Sequence, residues 1–327
     1  MSLKRLVVWG AFALVAVSAV AAVTVMHRPG SVHGFHHGGI QASPGDGAAA
    51  VHAARAGVAE LGKQWNVSVR DATTELYGEL LRQQSSAGIR EIANLKYGPD
   101  EQQSLELLVP EGGFSELTTV LVYLHGDGLS RSEPSHAGRN IGRYVANVGG
   151  IGVNAGYRVA RDAEGLSGAE DVRLVLQWVR ANIEPYGGNP DNIVLMGNST
   201  GAAHIATYLF HEPSQLPGGP GVKAAILSSG TFGENGDGNG PTPLDLVDSY
   251  AGSAVPLLLW SGEYDVPAVE TSVAALYAKL CKKYADCPMF VQLQGFNHVS
   301  HVLSIGSADA TVTNTIMRFY HSVIDAR

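Results

Sequence analysis

A serine between two glycines, GNSTG at 197–201, is the part of this chain best suited to chemistry. It follows the apolar run NIVLMG (192–197) and opens the helix-like stretch STGAAHIATYLF (199–210). A serine on so tight a strand-to-helix turn needs neighbours without side chains, and the turn aims its Oγ outward. The helix that follows favours negative charge at its first turn. A hydroxyl is a weak nucleophile near neutral pH and needs a base, which in turn needs an orienting carboxylate. When a serine occupies such a turn, acid and base follow in that order on loops after later strands. After VPLLLWSG (255–262) comes Asp265, the candidate acid, with Glu263 behind it. After MFVQLQG (289–295) comes His298, the candidate base, with His301 behind it. An oxyanion would need amide donors. Thr200 supplies one, and the loop His125-Gly126-Asp127-Gly128 supplies the other. Together these residues predict acyl transfer with no metal or organic cofactor.

The elements that must position them alternate along the chain. SLELLVP (104–110), TTVLVYLH (118–125), GIGVNAGY (150–157) and VKAAILSSG (222–230) join the three runs above as strand candidates. They are continuously apolar, which implies burial on both faces. Helical periodicity appears at 169–187, with Val172, Val175, Leu176 and Val179 on one face, and helices are also expected near 267–284 and 309–325. Strands separated by helices predict a doubly wound, mostly parallel α/β sheet with helices on both faces. Residues 51 to about 93 read as helical, either a cap beside the site or a brace for the domain, and belong to one domain over 51–327. No internal repeat is visible.

The 327 residues are 45% hydrophobic and 16% charged, a core-forming composition, with a formal net charge of −8. No basic block is present, which argues against nucleic-acid binding. Lys4 and Arg5 precede an uncharged apolar run from Leu6 to Met26. That pattern predicts export, with residues 1–26 a signal peptide, cut after Ala19-Val20-Ala21, or a retained membrane anchor. The product would be periplasmic, secreted or membrane-anchored. Residues 27–50, rich in Gly, His, Ala, Ser and Pro, read as a flexible linker; His33, His36 and His37 within it are assigned no role. Cys281 and Cys287 are the chain's two cysteines; export favours a short disulfide between them over two free thiols, and their spacing does not support a zinc site.

The order and spacing of VLVYLHGDG (120–128), 139–160, 168–210, PLLLWSGEYDVP (256–267) and GFNHVSHVLSIG (295–306) resemble the α/β-hydrolase carboxylesterases of the hormone-sensitive-lipase-like group, with their feruloyl-esterase and arylformamidase-like relatives. The resemblance covers roughly residues 100–325. It implies Ser199, Asp265 and His298 as nucleophile, acid and base. It implies Gly126, Asp127, Gly128 and Thr200 around the oxyanion, a small-molecule ester as substrate, and a packing role for His204. Two departures stand out: Asp127 interrupts a usual run of glycines, and Thr200 replaces a usual alanine. Both make the pocket more polar. Amide or formamide hydrolysis on the same triad, acyl transfer to an alcohol, and a non-catalytic binding protein remain open alternatives.

Overall fold

The uninterrupted apolar runs become strands with both faces covered. The computed structural model describes residues 46–126, 136–159, 166–233 and 240–324. Its strands are β1 (Ile89–Lys96), β2 (Ser104–Pro110), β3 (Thr118–Leu124), β4 (Ile151–Ala155), β5 (Gly188–Asn198), β6 (Ala224–Ser228), β7 (Leu257–Gly262) and β8 (Met289–Leu293). They form one sheet in the order β1-β2-β4-β3-β5-β6-β7-β8. β1, β2 and β4 pair antiparallel, and every pair from β4 through β3 to β8 is parallel. The predicted sheet is therefore present, with an antiparallel edge.

Alternation within each strand explains why the runs look continuous. Along β3, Val120, Val122 and Leu124 face one hydrophobic cluster, and Leu121 and Tyr123 face another. The first cluster is covered by α4 (Ser167–Asn182), α5 (Thr200–Phe210), α6 (Pro243–Ser249) and α7 (Pro267–Lys283). The second is covered by α1 (Asp46–Leu61), α2 (Val67–Arg82), α3 (His136–Asn147), α8 (Ser300–Leu303) and α9 (Thr311–Ile324). Cys281 near the end of α7 is joined to Cys287 by a disulfide just before β8.

Two local expectations need correcting. The 51–93 stretch is not helical throughout. It is two helices parted at Gly62 (φ 67°) and recapped by Asn66, whose Oδ1 accepts from the Val69 amide, and then the edge strand β1. β1 carries Arg90, Glu91 and Lys96 and is only half-buried at Ile92 and Leu95, so its composition hides a pairing made with residues 104–110. A bulge at Asn94 (φ 60°) blurs its alternation further. Second, residues 46–50, read as linker, are the first turn of α1. Beyond these, α3 forms where no element was expected, despite Gly138 and Gly142. A Cβ on Gly152 of β4 would lie 2.4 Å from the Gly142 Cα, so these glycines allow helix and strand to touch. The export segment and residues 27–45 of the linker lie outside the described residues. No helix among the described residues is long and apolar enough to cross a membrane.

Candidate active site

The site begins at the turn between β5 and α5. Ser199 has φ 52° and ψ −119°, a conformation that costs energy for any residue with a Cβ. Its amide donates to the Ser228 carbonyl at 2.8 Å. The flanking glycines are sterically required. A Cβ on Gly197 would sit 2.5 Å from the Gly201 carbonyl carbon, and one on Gly201 would sit 2.4 Å from the Leu124 carbonyl oxygen. β5 and α5 can close this turn, and β3 can run beneath it, only because both positions lack side chains.

The hydroxyl meets its partners in series. Ser199 Oγ lies 3.0 Å from His298 Nε2, and His298 Nδ1 lies 2.9 Å from Asp265 Oδ1. Asp265 is fully buried and His298 nearly so. The second oxygen of Asp265 accepts from the Gly262 amide at 2.7 Å and the Ser229 hydroxyl at 2.6 Å. Burial alone would raise this carboxyl's pKa. The hydrogen bond and charge of His298, the nearby His301 and the Ser229 hydroxyl outweigh burial and hold it below the ordinary carboxylate value. The reserve residues of each loop turn elsewhere. Glu263 accepts from the Gly295 amide at 2.7 Å and ties the end of β7 to the loop after β8. His301 is fully buried on α8 and faces Ser228 and Ser229.

The loop bearing His298 is held from several sides. Asn297 Oδ1 accepts from the Ser300 amide at 3.0 Å, and its Nδ2 donates to Thr73 Oγ1 of α2 at 2.8 Å. Arg55 of α1 pairs with Asp309, hydrogen-bonds Thr311, and lies 4.5 Å above the Phe296 ring. Trp65, in the turn between α1 and α2, packs on the His298 ring with centroids 4.6 Å apart. The N-terminal helical pair thus borders the site and braces it at once. Trp65, Thr73, Ser228 and Ser229 are not among the residues expected from the sequence. The one available signal was the position of Ser228 and Ser229 at the carboxyl end of a parallel strand, where open α/β sheets gather their chemistry.

Around the expected oxyanion position, Thr200 is the first residue of α5, so its amide has no acceptor within the helix. Gly126 lies against Ser199: a Cβ there would be 2.9 Å from the Ser199 Cβ. Asp127 and Gly128 lie outside the described residues, as do His33, His36 and His37. His125 stacks on Tyr157 at 4.7 Å, and His204 meets the edge of Tyr157 at 4.9 Å, a packing arrangement. Among the described residues no group of three or more His, Cys, Asp or Glu could hold a metal ion.

Burial lowers the His301 pKa from 6.5 to about 4, against the opposing pull of Asp265. The unfolded chain takes up this proton near pH 6.5 and the folded chain only near pH 4, so acid favours unfolding between those values. Asp265, with its pKa depressed, adds stability that is lost only below its unfolded value of 3.8. Between pH 7 and 4.5 the wild type should therefore lose roughly 1–3 kcal/mol more than His301→Gln. Urea unfolding of both proteins at the two pH values measures this, and equal losses would contradict it.

A serine on a strained turn after the central strand, in hydrogen-bond series with a histidine and an aspartate on loops after β8 and β7, defines an α/β-hydrolase fold. Solved structures agree. The chain is similar to esterase B of Lactobacillus rhamnosis, with a TM-score of 0.59 and 16% identity over 86% of this chain and 96% of that one. It is likewise similar to the Pyrobaculum calidifontis esterase, at 0.58 and 17% over 83% and 97%, and to a bacterial heroin esterase, at 0.56 and 18% over 84% and 96%. Residues 63–237 match the sequence profile of the carboxylesterase family, more than half of the chain, and the protein belongs to that family. Relatives include acetylcholinesterase of Myxine glutinosa, 36% identical over 126 residues, which are 35% of this chain and 35% of that protein. Acetylcholinesterase 4 of Caenorhabditis briggsae is 36% identical over 124 residues, 35% of this chain and 20% of that protein. The chain thus spans between a fifth and about a third of the length of these relatives.

Proposed function

We propose that this protein hydrolyses carboxylic esters through an acyl-enzyme on Ser199. The observation that carries this is the Ser199–His298–Asp265 series, 3.0 and 2.9 Å between successive partners. His298 Nε2 takes the hydroxyl proton as Ser199 Oγ attacks the ester carbonyl carbon. The carbonyl oxygen becomes an oxyanion beside the Thr200 amide and Gly126. Asp265 keeps the His298 proton on Nδ1 and stabilises the imidazolium that forms. His298 then protonates the departing alkoxide, which leaves as an alcohol. Water, activated by the same histidine, releases the carboxylic acid and restores Ser199. Family membership and structural neighbours described as esterases support an ester over an amide as substrate.

A fluorophosphonate probe should label the folded full-length chain at Ser199, found by peptide mapping, and a short p-nitrophenyl ester should be hydrolysed far faster than the matched anilide. Unlabelled folded protein would defeat the reading, and a faster anilide would reassign the substrate to amides. The same proposal places the enzyme outside the cytoplasm. The Lys4-Arg5 pair before the 6–26 apolar run supports this, as does a disulfide suited to an oxidising compartment. Fractionation of cells expressing the full chain should return it with membranes or the exported fraction. Recovery in the cytosol would refute export.

A further inference from the structure

Behind the acid lies a buried polar cluster that the mechanism above does not use. Ser228, Ser229 and His301 are each fully buried. Ser229 adopts φ 46°, unusual for a residue with a side chain, and its amide donates to the Trp260 carbonyl at 2.9 Å. Its Oγ touches two groups, Asp265 Oδ2 at 2.6 Å and His301 Nε2 at 2.8 Å. The other nitrogen of His301, Nδ1, lies 3.2 Å from Ser228 Oγ, which also lies 2.7 Å from the Trp260 indole nitrogen and 3.3 Å from Asn198 Nδ2.

The protons in this cluster have one consistent arrangement. An ionised carboxylate only accepts, so the single Ser229 proton points at Asp265. The Ser229 oxygen then accepts from His301, which places the imidazole proton on Nε2. A neutral ring has one N–H, so Nδ1 is bare and accepts from the Ser228 hydroxyl. The Ser228 oxygen accepts from the indole N–H of Trp260, which can only donate. Every proton from Trp260 to Asp265 points towards the acid. A second proton on His301 would face Ser228 Oγ and displace the hydroxyl proton from its acceptor. The titratable groups facing His301 are Asp265, from the loop after β7, and His298, from its own loop.

We propose that His301 is a positioning residue for Asp265, acting through Ser229: its Nε2–H occupies the Ser229 oxygen, commits the Ser229 proton to Asp265 Oδ2, and leaves Oδ1 to His298. This rests on the esterase reading, since what it positions is the proposed triad. It also explains a histidine where an apolar residue would fill the space but leave the buried hydroxyls under-partnered. His301 sets the acid without touching substrate or nucleophile, so its loss should act on turnover and not on substrate binding.

The test has two arms on the full-length chain. In the first, histidine is labelled with ¹⁵N, and His301 resonances are assigned by their loss in His301→Gln. The expected state is a neutral ring protonated on Nε2 from pH 5.5 to 8. An Nδ1–H tautomer, or an imidazolium in that range, would overturn the proposal without any variant having to be active. In the second arm, Ser229→Ala, His301→Leu, His301→Gln and the Ser229→Ala/His301→Leu double variant are assayed on p-nitrophenyl acetate. Each of the first two should lower kcat roughly 10-fold with KM within about twofold, because misplacing the acid misplaces the base. The double variant should be no slower than the slower single, the signature of two groups acting in series. His301→Gln, which can still donate and accept, should lose less than His301→Leu. Losses that multiply, or that fall on KM, would overturn the proposal, and if His301→Leu does not fold, Ser229→Ala, His301→Gln and the labelled wild type still decide it. A wild type that takes neither ester nor fluorophosphonate defeats the esterase reading itself, an outcome distinct from an active wild type with the wrong tautomer.

Discussion

Ser199→Ala should lower kcat on a short p-nitrophenyl ester by roughly ten-thousand- to million-fold, the range seen when a triad nucleophile is removed. The fold should survive. Alanine keeps the Cβ, so the strained φ of 52° costs it no more than serine, and the amide bond to the Ser228 carbonyl is unaffected. The variant loses only the Oγ that lies 3.0 Å from His298 Nε2. Residual turnover should come from the helix-end amide and the bound geometry, which remain. Steady-state kinetics beside a urea unfolding curve checks both halves. Activity within tenfold of wild type would mean that another group attacks the ester.

Asp265→Asn should lower kcat by roughly ten-thousand-fold for a different reason, the wrong histidine tautomer. The second oxygen of Asp265 receives two donors, the Gly262 amide and the Ser229 hydroxyl. An asparagine there will turn its carbonyl oxygen to those two N–H and O–H groups, because an NH₂ facing them would set donor against donor. Its NH₂ then faces His298 Nδ1, which must give up its proton and accept. The imidazole proton moves to Nε2, the atom that must receive the Ser199 proton, and the base is disabled. The side chain changes little in shape, so the loss should appear in kcat at nearly unchanged KM. A rate within about tenfold of wild type would show that the buried carboxylate does not set the tautomer.

The reach of the sequence follows from how local each feature is. The serine turn was legible because everything it needs lies within about ten residues: an apolar strand, two glycines and a helix start. The loops bearing acid and base were legible because strand ends are, and because chain order is constrained in such folds. β1 was read as helix because it lacks an alternating apolar pattern: it is only half-buried at Ile89, Ile92 and Leu95, and a bulge interrupts its pairing with the next strand. α3 escaped notice because its glycines, which look like breakers, are there to let β4 approach.

The strand and helix pattern of the sequence determined a doubly wound sheet, its glycine-flanked motif a serine on a strand-to-helix turn, and the chain order that accompanies such a turn the two loops to search for a base and a carboxylate. Each loop offered a first candidate and a reserve, and tertiary structure puts the first candidates, Asp265 and His298, in series with Ser199 and turns Glu263 and His301 elsewhere. It alone placed Trp65 on the His298 ring and Ser229 behind Asp265. Side-chain direction two or three residues along a loop depends on hydrogen bonds made across the sheet, such as Glu263 to Gly295 and Asn297 to Thr73. Those bonds join segments 32 and 224 residues apart, so no local pattern of residues encodes them.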